Sequence, residues 1–175
     1  MALHARLGPS NSRWPACAGS VREEAKYVDV AGAPAIDGTG SHLLLELCVD
    51  NKVDATHYLG TIIGVNHHDM PGGWLVARDR CDRVQMCLDY IARRVTELTK
   101  EHPGCQITVE SETKADPGGY FGRTDWWGTV DITIVVMNGR TCMFVEACDY
   151  KDGRGWVHVG GNTQLLSYVG GKMRP

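Results

Sequence analysis

Between residues 78 and 101 the chain reads RDRCDRVQMCLDYIARRVTELTKE, which sets Val84, Cys87, Leu88, Ile91, Val95 and Leu98 on one stripe with charges opposite. That spacing predicts an amphipathic helix, and the following HPG stops it. Downstream the period shortens. CQITVESET, TVDITIVVMN and TCMFVEACDY are three β-rich runs separated by DPGGYFG and NGR, and Asn138-Gly139 marks a tight hairpin between the last two. NTQLLSYVGGKM predicts a closing helix, capped by Asn162 or Thr163 and ended by its glycine pair. Upstream, SHLLLELCVDN has apolar residues at 43, 44, 47 and 48, a helical pattern that places His42 and Glu46 on one face. It follows an Ala/Gly/Pro-rich connector, VAGAPAIDGTG. GPSNSRWPACAGSVREEA predicts a short helix capped by Ser10, a break at Pro15, an inward Trp14 and a second helical turn through VREEA. Residues 51–74 show weak periodicity and many turn formers, as expected of an irregular excursion, a lid or a loop. Helices, then a three-strand meander, then a helix predict an α/β or α+β fold. The expected organisation is one domain over 1–175, with an N-terminal helical part and loop (1–74) preceding the long helix, meander and C-terminal helix (75–175).

Composition narrows the function. The 175 residues suffice for one core, and 18 basic against 21 acidic residues, a net charge of -3, leave no overall basic footprint for indiscriminate polyanion binding. No apolar run approaches the roughly 20 residues of a membrane span, and MALHARLGPSNSR lacks a secretory apolar segment. The expected location is the cytoplasm, with no membrane partner. Seven cysteines, at 17, 48, 81, 87, 105, 142 and 148, are an odd number without a CxxC pair, which argues against a disulfide framework or a zinc ribbon. Buried thiols are expected, with Cys17 left open.

Three charges stand where charge is costly. Asp131 lies inside the apolar run WWGTVDITIVV, and Asp149 and Lys151 end the next one, two residues apart and so on one face of a strand. A hairpin at NGR puts Asp131 opposite a residue near 147, about one pair from Asp149. Two carboxylates in reach of one hard cation form a minimal Mg2+ site, and Lys151 beside them can meet developing negative charge. The alternative is a surface Asp/Lys pair at a strand end.

Gly128-Thr129-Val130-Asp131 followed after one hairpin by Asp149-Tyr150-Lys151 resembles the PD-(D/E)XK nuclease core. Gln164-Leu165-Leu166-Ser167-Tyr168 resembles the QxxxY helix of its RecB-like and lambda-exonuclease-like branch. Gly38-Thr39-Gly40-Ser41-His42 through Glu46 is similar to the GTxxHxxxE motif of that branch. SNSRWPACAGS looks like the N-terminus of a phage and prophage group within it. The motifs stand in the family's order, and the resemblance spans roughly residues 7 to 170.

The resemblance implies a restriction-endonuclease-like core, a mostly antiparallel or mixed sheet flanked by helices. It implies a divalent-metal-dependent DNA nuclease, an exonuclease or end-processing enzyme of phage recombination and replication. Asp131, Asp149, the Tyr150 backbone carbonyl and His42 would bind Mg2+ or Mn2+, with Glu46 as an auxiliary ligand or a support. Mixed N/O ligation makes Mn2+ activity an expectation. Lys151 would orient the attacking water, and Gln164 and Tyr168 would line the site. Glu110 or Glu112 would add a carboxylate. Arg123, Arg154 and Lys172 are candidates for phosphate contacts, and Trp126 or Trp127 for stacking on a base. No iron–sulfur cluster is expected, because Cys17 lacks the companion cysteines near the C-terminus that cluster-bearing relatives use. Expected partners are DNA and either a second copy of the chain or a recombination protein. The rival expectation is a catalytically silent nuclease-fold module that binds DNA or a protein.

Overall fold

A computed structural model of the chain describes residues 33–152 and 160–173. Over this range the fold is mixed α+β. Helix α1 (Ala33–Asn51) is followed by a 3-10 turn (Ala55–Tyr58) and a short hairpin of β1 (Ile62–Ile63) and β2 (Trp74–Leu75). Then come α2 (Arg78–Glu101), β3 (Gln106–Ala115), a 3-10 turn (Pro117–Phe121), β4 (Gly128–Asn138), β5 (Thr141–Cys148) and α3 (Thr163–Lys172). The predicted N-terminal helix with Ser10, Trp14 and Cys17 falls outside the described residues, as does Arg154.

The main sheet is antiparallel in the order β3-β4-β5. Ile132, Ile134 and Val136 of β4 are fully buried and pack with Leu44, Leu45 and Cys48 of α1 and with Val84, Ile91 and Leu98 of α2. Burying each such side chain is worth about 1.5–3 kcal/mol, so this layer is the main source of cohesion. A smaller cluster of Ala115, Val130 and Tyr168, with Ala147 and Leu165 against it, holds α3 to the sheet. Asn162 caps α3, its side-chain oxygen accepting from the Gln164 and Leu165 amides. The six cysteines in this range are free, with Cys48 and Cys81 buried and Cys142 exposed.

Helix α2 spans the predicted 78–101. Helix α1 differs: it begins at Ala33, running back through the segment expected to be a connector. Pro34 falls in the first turn, where its missing N–H costs nothing. The glycine at 40 is retained for packing, since a Cβ there would lie 2.3 Å from the Trp74 ring. The excursion over 51–74 is partly ordered by the β1/β2 hairpin, with Ile62 opposite Leu75 and Ile63 opposite Trp74. The last helix also runs through its glycine pair to Lys172 rather than stopping there. Gly171 lets it approach closely, because a Cβ would sit 2.5 Å from the Asp116 amide nitrogen.

The register of β4 and β5 corrects the expected pairing. Asn138 faces Thr141 and Met137 faces Cys142, but Val136 faces Phe144, so Met143 is an extra residue in β5. Beyond this bulge Ile132 faces Cys148, and the next pair in register is Asp131 with Asp149 rather than with a residue near 147. A one-residue slip exchanges the faces of a strand. The bulge is therefore what aligns the two carboxylates.

Candidate metal and catalytic site

Asp131 and Asp149 are nearly enclosed, their side chains 12% and 10% exposed. Buried carboxylates need donors or a cation, and each of these two is served differently. Asp131 Oδ1 lies 3.3 Å from His42 Nδ1, and Oδ2 accepts the Tyr150 backbone N–H at 2.6 Å. Asp149 Oδ2 lies 2.8 Å from Lys151 Nζ, and Oδ1 accepts from Gln164 Nε2 at 2.8 Å. The same Gln164 amide group donates to Tyr168 Oη at 3.0 Å. The His42 ring meets the Tyr150 ring edge-on, with centroids 5.4 Å apart. Thus α1, β4, the end of β5 and α3 each deliver a side chain to one end of the sheet.

Of the two acidic candidates on β3, the structure brings Glu112 to the site. Ser111 pairs with Ile132 and Thr113 with Val130, which leaves Glu112 directly across from Asp131. Its φ of 45° is left-handed, a conformation that costs a non-glycine residue of order 1–3 kcal/mol. Glu110 instead receives Lys172 Nζ at 3.4 Å. The ligand atoms of His42, Glu112 and Asp131 lie within 4.8 Å of one another. They open, with Glu46 and His67, into a pocket of about 450 Å3. One imidazole and two carboxylates suit a divalent ion of the Mn2+ or Mg2+ kind. Asp149 and Lys151 stand beside this group rather than in it, and the Tyr150 amide contributes a donor to Asp131.

The electrostatics follow the geometry. Withdrawal from water and the carboxylates of Asp131 and Glu46 push the Glu112 carboxyl up to about 7. Burial lowers the His42 imidazole, but the hydrogen bond and charge of Asp131 outweigh it, and the net displacement is upward. Burial raises Asp149 despite the opposing Lys151 ammonium. Burial and the neighbouring Asp50 raise Glu46 as well. A cation among these groups would relieve the crowding that raises Glu112.

A second grouping of ligand types, His67, His68 and Asp69, lies in the loop between β1 and β2. There the Asp69 amide donates to His67 Nδ1 at 3.2 Å.

The basic candidates for phosphate contacts have acidic neighbours. One edge of the Arg123 guanidinium, Nε and Nη2, donates to Asp125 at 3.0 and 2.9 Å, and Lys172 serves Glu110. Trp126 stacks on Phe121 with centroids 5.6 Å apart, and Lys114 Nζ sits 5.3 Å from the centroid of the Trp127 ring.

The sequence reading missed Asp152, the residue after Lys151. Its side chain is only 3% exposed, and it accepts from Ser41, Arg80 and Arg83. Two arginines one turn apart on α2 were the available signal, since two neighbouring guanidiniums are well served by one carboxylate.

No curated protein and no solved structure matches the chain. A family model matches residues 4–174, and the chain belongs to the family that it describes, Protein of unknown function (DUF2800).

Proposed function

We propose that the chain is a divalent-metal-dependent DNA nuclease built on a restriction-endonuclease-like core. The observation that carries this reading is the meeting of His42, Glu112 and Asp131 with the Lys151–Asp149–Gln164–Tyr168 chain at one end of the sheet. His42, Glu112 and Asp131 would hold Mn2+ or Mg2+, and their N/O donor set fits either ion. When bound, the ion supplies Lewis acidity toward a phosphoryl oxygen.

The chain's own residues supply the rest. Lys151, half-exposed and anchored by Asp149, directs its ammonium toward a phosphate oxygen or a water. Its positive charge counters the negative charge that grows on the phosphoryl group. Gln164 holds Asp149 in place with one N–H and Tyr168 with the other. By holding Oδ1 it orients the carboxylate whose Oδ2 meets Lys151, and a fixed donor needs little reorganisation when charge develops.

The reading extends to an end-processing role in phage recombination or replication through the ordered motifs of the sequence. DNA is the proposed substrate, and a second copy or a recombination protein the proposed partner. Digestion of linear, circular and end-blocked DNA with Mn2+ tests it. Loss of linear DNA with circles spared supports an exonuclease. Cleavage of circles shows that ends are not required, and intact DNA in every form opposes the nuclease reading.

A further inference from the structure

Asp152 follows Lys151, and Ser41 precedes His42. The two are joined directly: Ser41 Oγ donates to Asp152 Oδ2 at 2.6 Å. Arg80 Nη1 donates to the same oxygen at 2.7 Å. Arg83 Nη1 reaches Oδ1 at 2.9 Å and the Asp152 carbonyl at 3.2 Å. Both arginines are themselves held. Arg80 Nη2 donates to Asp37 at 2.8 Å, and Asp37 accepts from Trp74 Nε1 at 3.0 Å. Arg83 Nη2 donates to Asp79 at 3.0 Å.

Burying a charge in this way rarely gives more stability than apolar packing of the same volume would. What it gives is a fixed geometry among the pieces that meet there. Here those pieces are α1 at the residue before His42, α2, and the segment after β5 at the residue following Lys151. Ser41 is fully buried and cannot turn to water for a substitute acceptor.

We propose that Asp152 is a positioning residue for the site. Through Ser41 it sets the His42 imidazole, and through the chain it sets Lys151 and Asp149, so that the two halves of the site face each other at a fixed separation. The catalytic consequence rests on the nuclease reading, whereas the geometric one does not. A displacement near 1 Å at a reacting group is enough to cost about 100-fold in rate. Loss of a group that orients a metal ligand costs about 10- to 100-fold in metal affinity.

The test uses the full chain and three readouts on wild type, Asp152→Asn, Ser41→Ala and the double variant. These are the metal-free NMR resonances of the 15N-labelled His42 ring, Mn2+ affinity by calorimetry, and kcat and KM for a fluorescent linear DNA. In Asp152→Asn the His42 resonances shift, Mn2+ binds about tenfold more weakly, and kcat falls about 100-fold with KM within about twofold. Ser41→Ala moves the same readouts in the same direction, and the double variant adds little beyond Asp152→Asn because both cut one linkage. Ser41→Ala keeps both arginine pairs and decides the matter if Asp152→Asn does not fold. Folded variants with wild-type His42 resonances, Mn2+ affinity and kcat overturn the proposal, even where melting temperature has dropped. A wild type that cuts no DNA defeats the nuclease reading alone, and the His42 resonances then decide this inference.

Discussion

The backbone N–H of Tyr150 donates to the Asp131 carboxylate at 2.6 Å. This bond closes the register that the β5 bulge creates, and it holds the segment carrying Asp149 and Lys151 against the neighbouring strand. The site is therefore a property of strand pairing as much as of its side chains.

Gln164 spends one N–H on Asp149 and the other on Tyr168. Gln164→Ala removes both, and we expect DNA hydrolysis to fall about tenfold with Mn2+ affinity nearly unchanged, since Gln164 stands outside the His42, Glu112 and Asp131 group. Tyr168→Phe keeps the ring in its cluster with Ala115 and Val130 and loses only the hydroxyl, at a cost of about 1 kcal/mol. Urea titration of the two variants, read beside calorimetry and a rate assay, separates the effects.

Glu112 combines a left-handed backbone with a carboxyl opposite Asp131. Glu112→Gly relieves the backbone and removes a crowded carboxylate, so the metal-free protein gains about 1 kcal/mol. The same variant binds Mn2+ at least about tenfold more weakly. Denaturation midpoints without metal and calorimetry with it measure the two changes, and a destabilised variant would contradict the strain assignment.

The same group gives a pH dependence with a definite sign. Between its ordinary 4.5 and about 7, the folded chain keeps a proton on Glu112 that the unfolded chain has released. Metal-free stability therefore declines as pH rises across that window. His42, raised from 6.5, acts in the same direction: its contribution is present below 6.5 and is lost as pH rises through its folded value. Mn2+ binding must displace these protons, so affinity strengthens as pH climbs through about 7. Calorimetry at several pH values checks the slope, and Glu112→Gln should flatten it.

Gly40 lies under Trp74, where a Cβ would come within 2.3 Å of the ring. Gly40→Ala forces the indole or α1 to move, which costs about 1–3 kcal/mol. Because Ser41 and His42 follow directly, Mn2+ affinity should fall with stability. Thermal melts and Mn2+ titration of this one variant test both halves.

How much of this was legible in the sequence varies with how local the cause is. Helix α2 was readable because Val84, Ile91 and Leu98 repeat at helical spacing and are the residues that the core buries. The three strands were readable from β-branched runs and the Asn138-Gly139 turn. The start of α1 was hidden, because Gly38, Gly40 and Pro34 read as a connector, and only Trp74, far along the chain, explains why Gly40 belongs in a helix. The bulge at Met143 leaves no local mark, so the alignment of Asp131 with Asp149 was misjudged. Asp152 was missed for the same reason: its burial is set by Ser41, Arg80 and Arg83 from two helices distant in sequence. Glu112 could not be separated from Glu110 by spacing, since the choice depends on which one faces Asp131 across β3 and β4.

The central claim is that Lys151 acts on DNA beside a metal held by His42, Glu112 and Asp131. Its most direct measurement is Mn2+-dependent hydrolysis of end-labelled single- and double-stranded linear DNA by wild type and by Lys151→Ala. Lys151 is half-exposed and contacts Asp149, so the variant should fold as the wild type does. The wild type is expected to cleave and the variant to lose at least about 100-fold in rate, with Mn2+ affinity nearly unchanged. A folded wild type that leaves every DNA intact with Mn2+ and with Mg2+, or a Lys151→Ala variant that cuts as fast as the wild type, would contradict that claim.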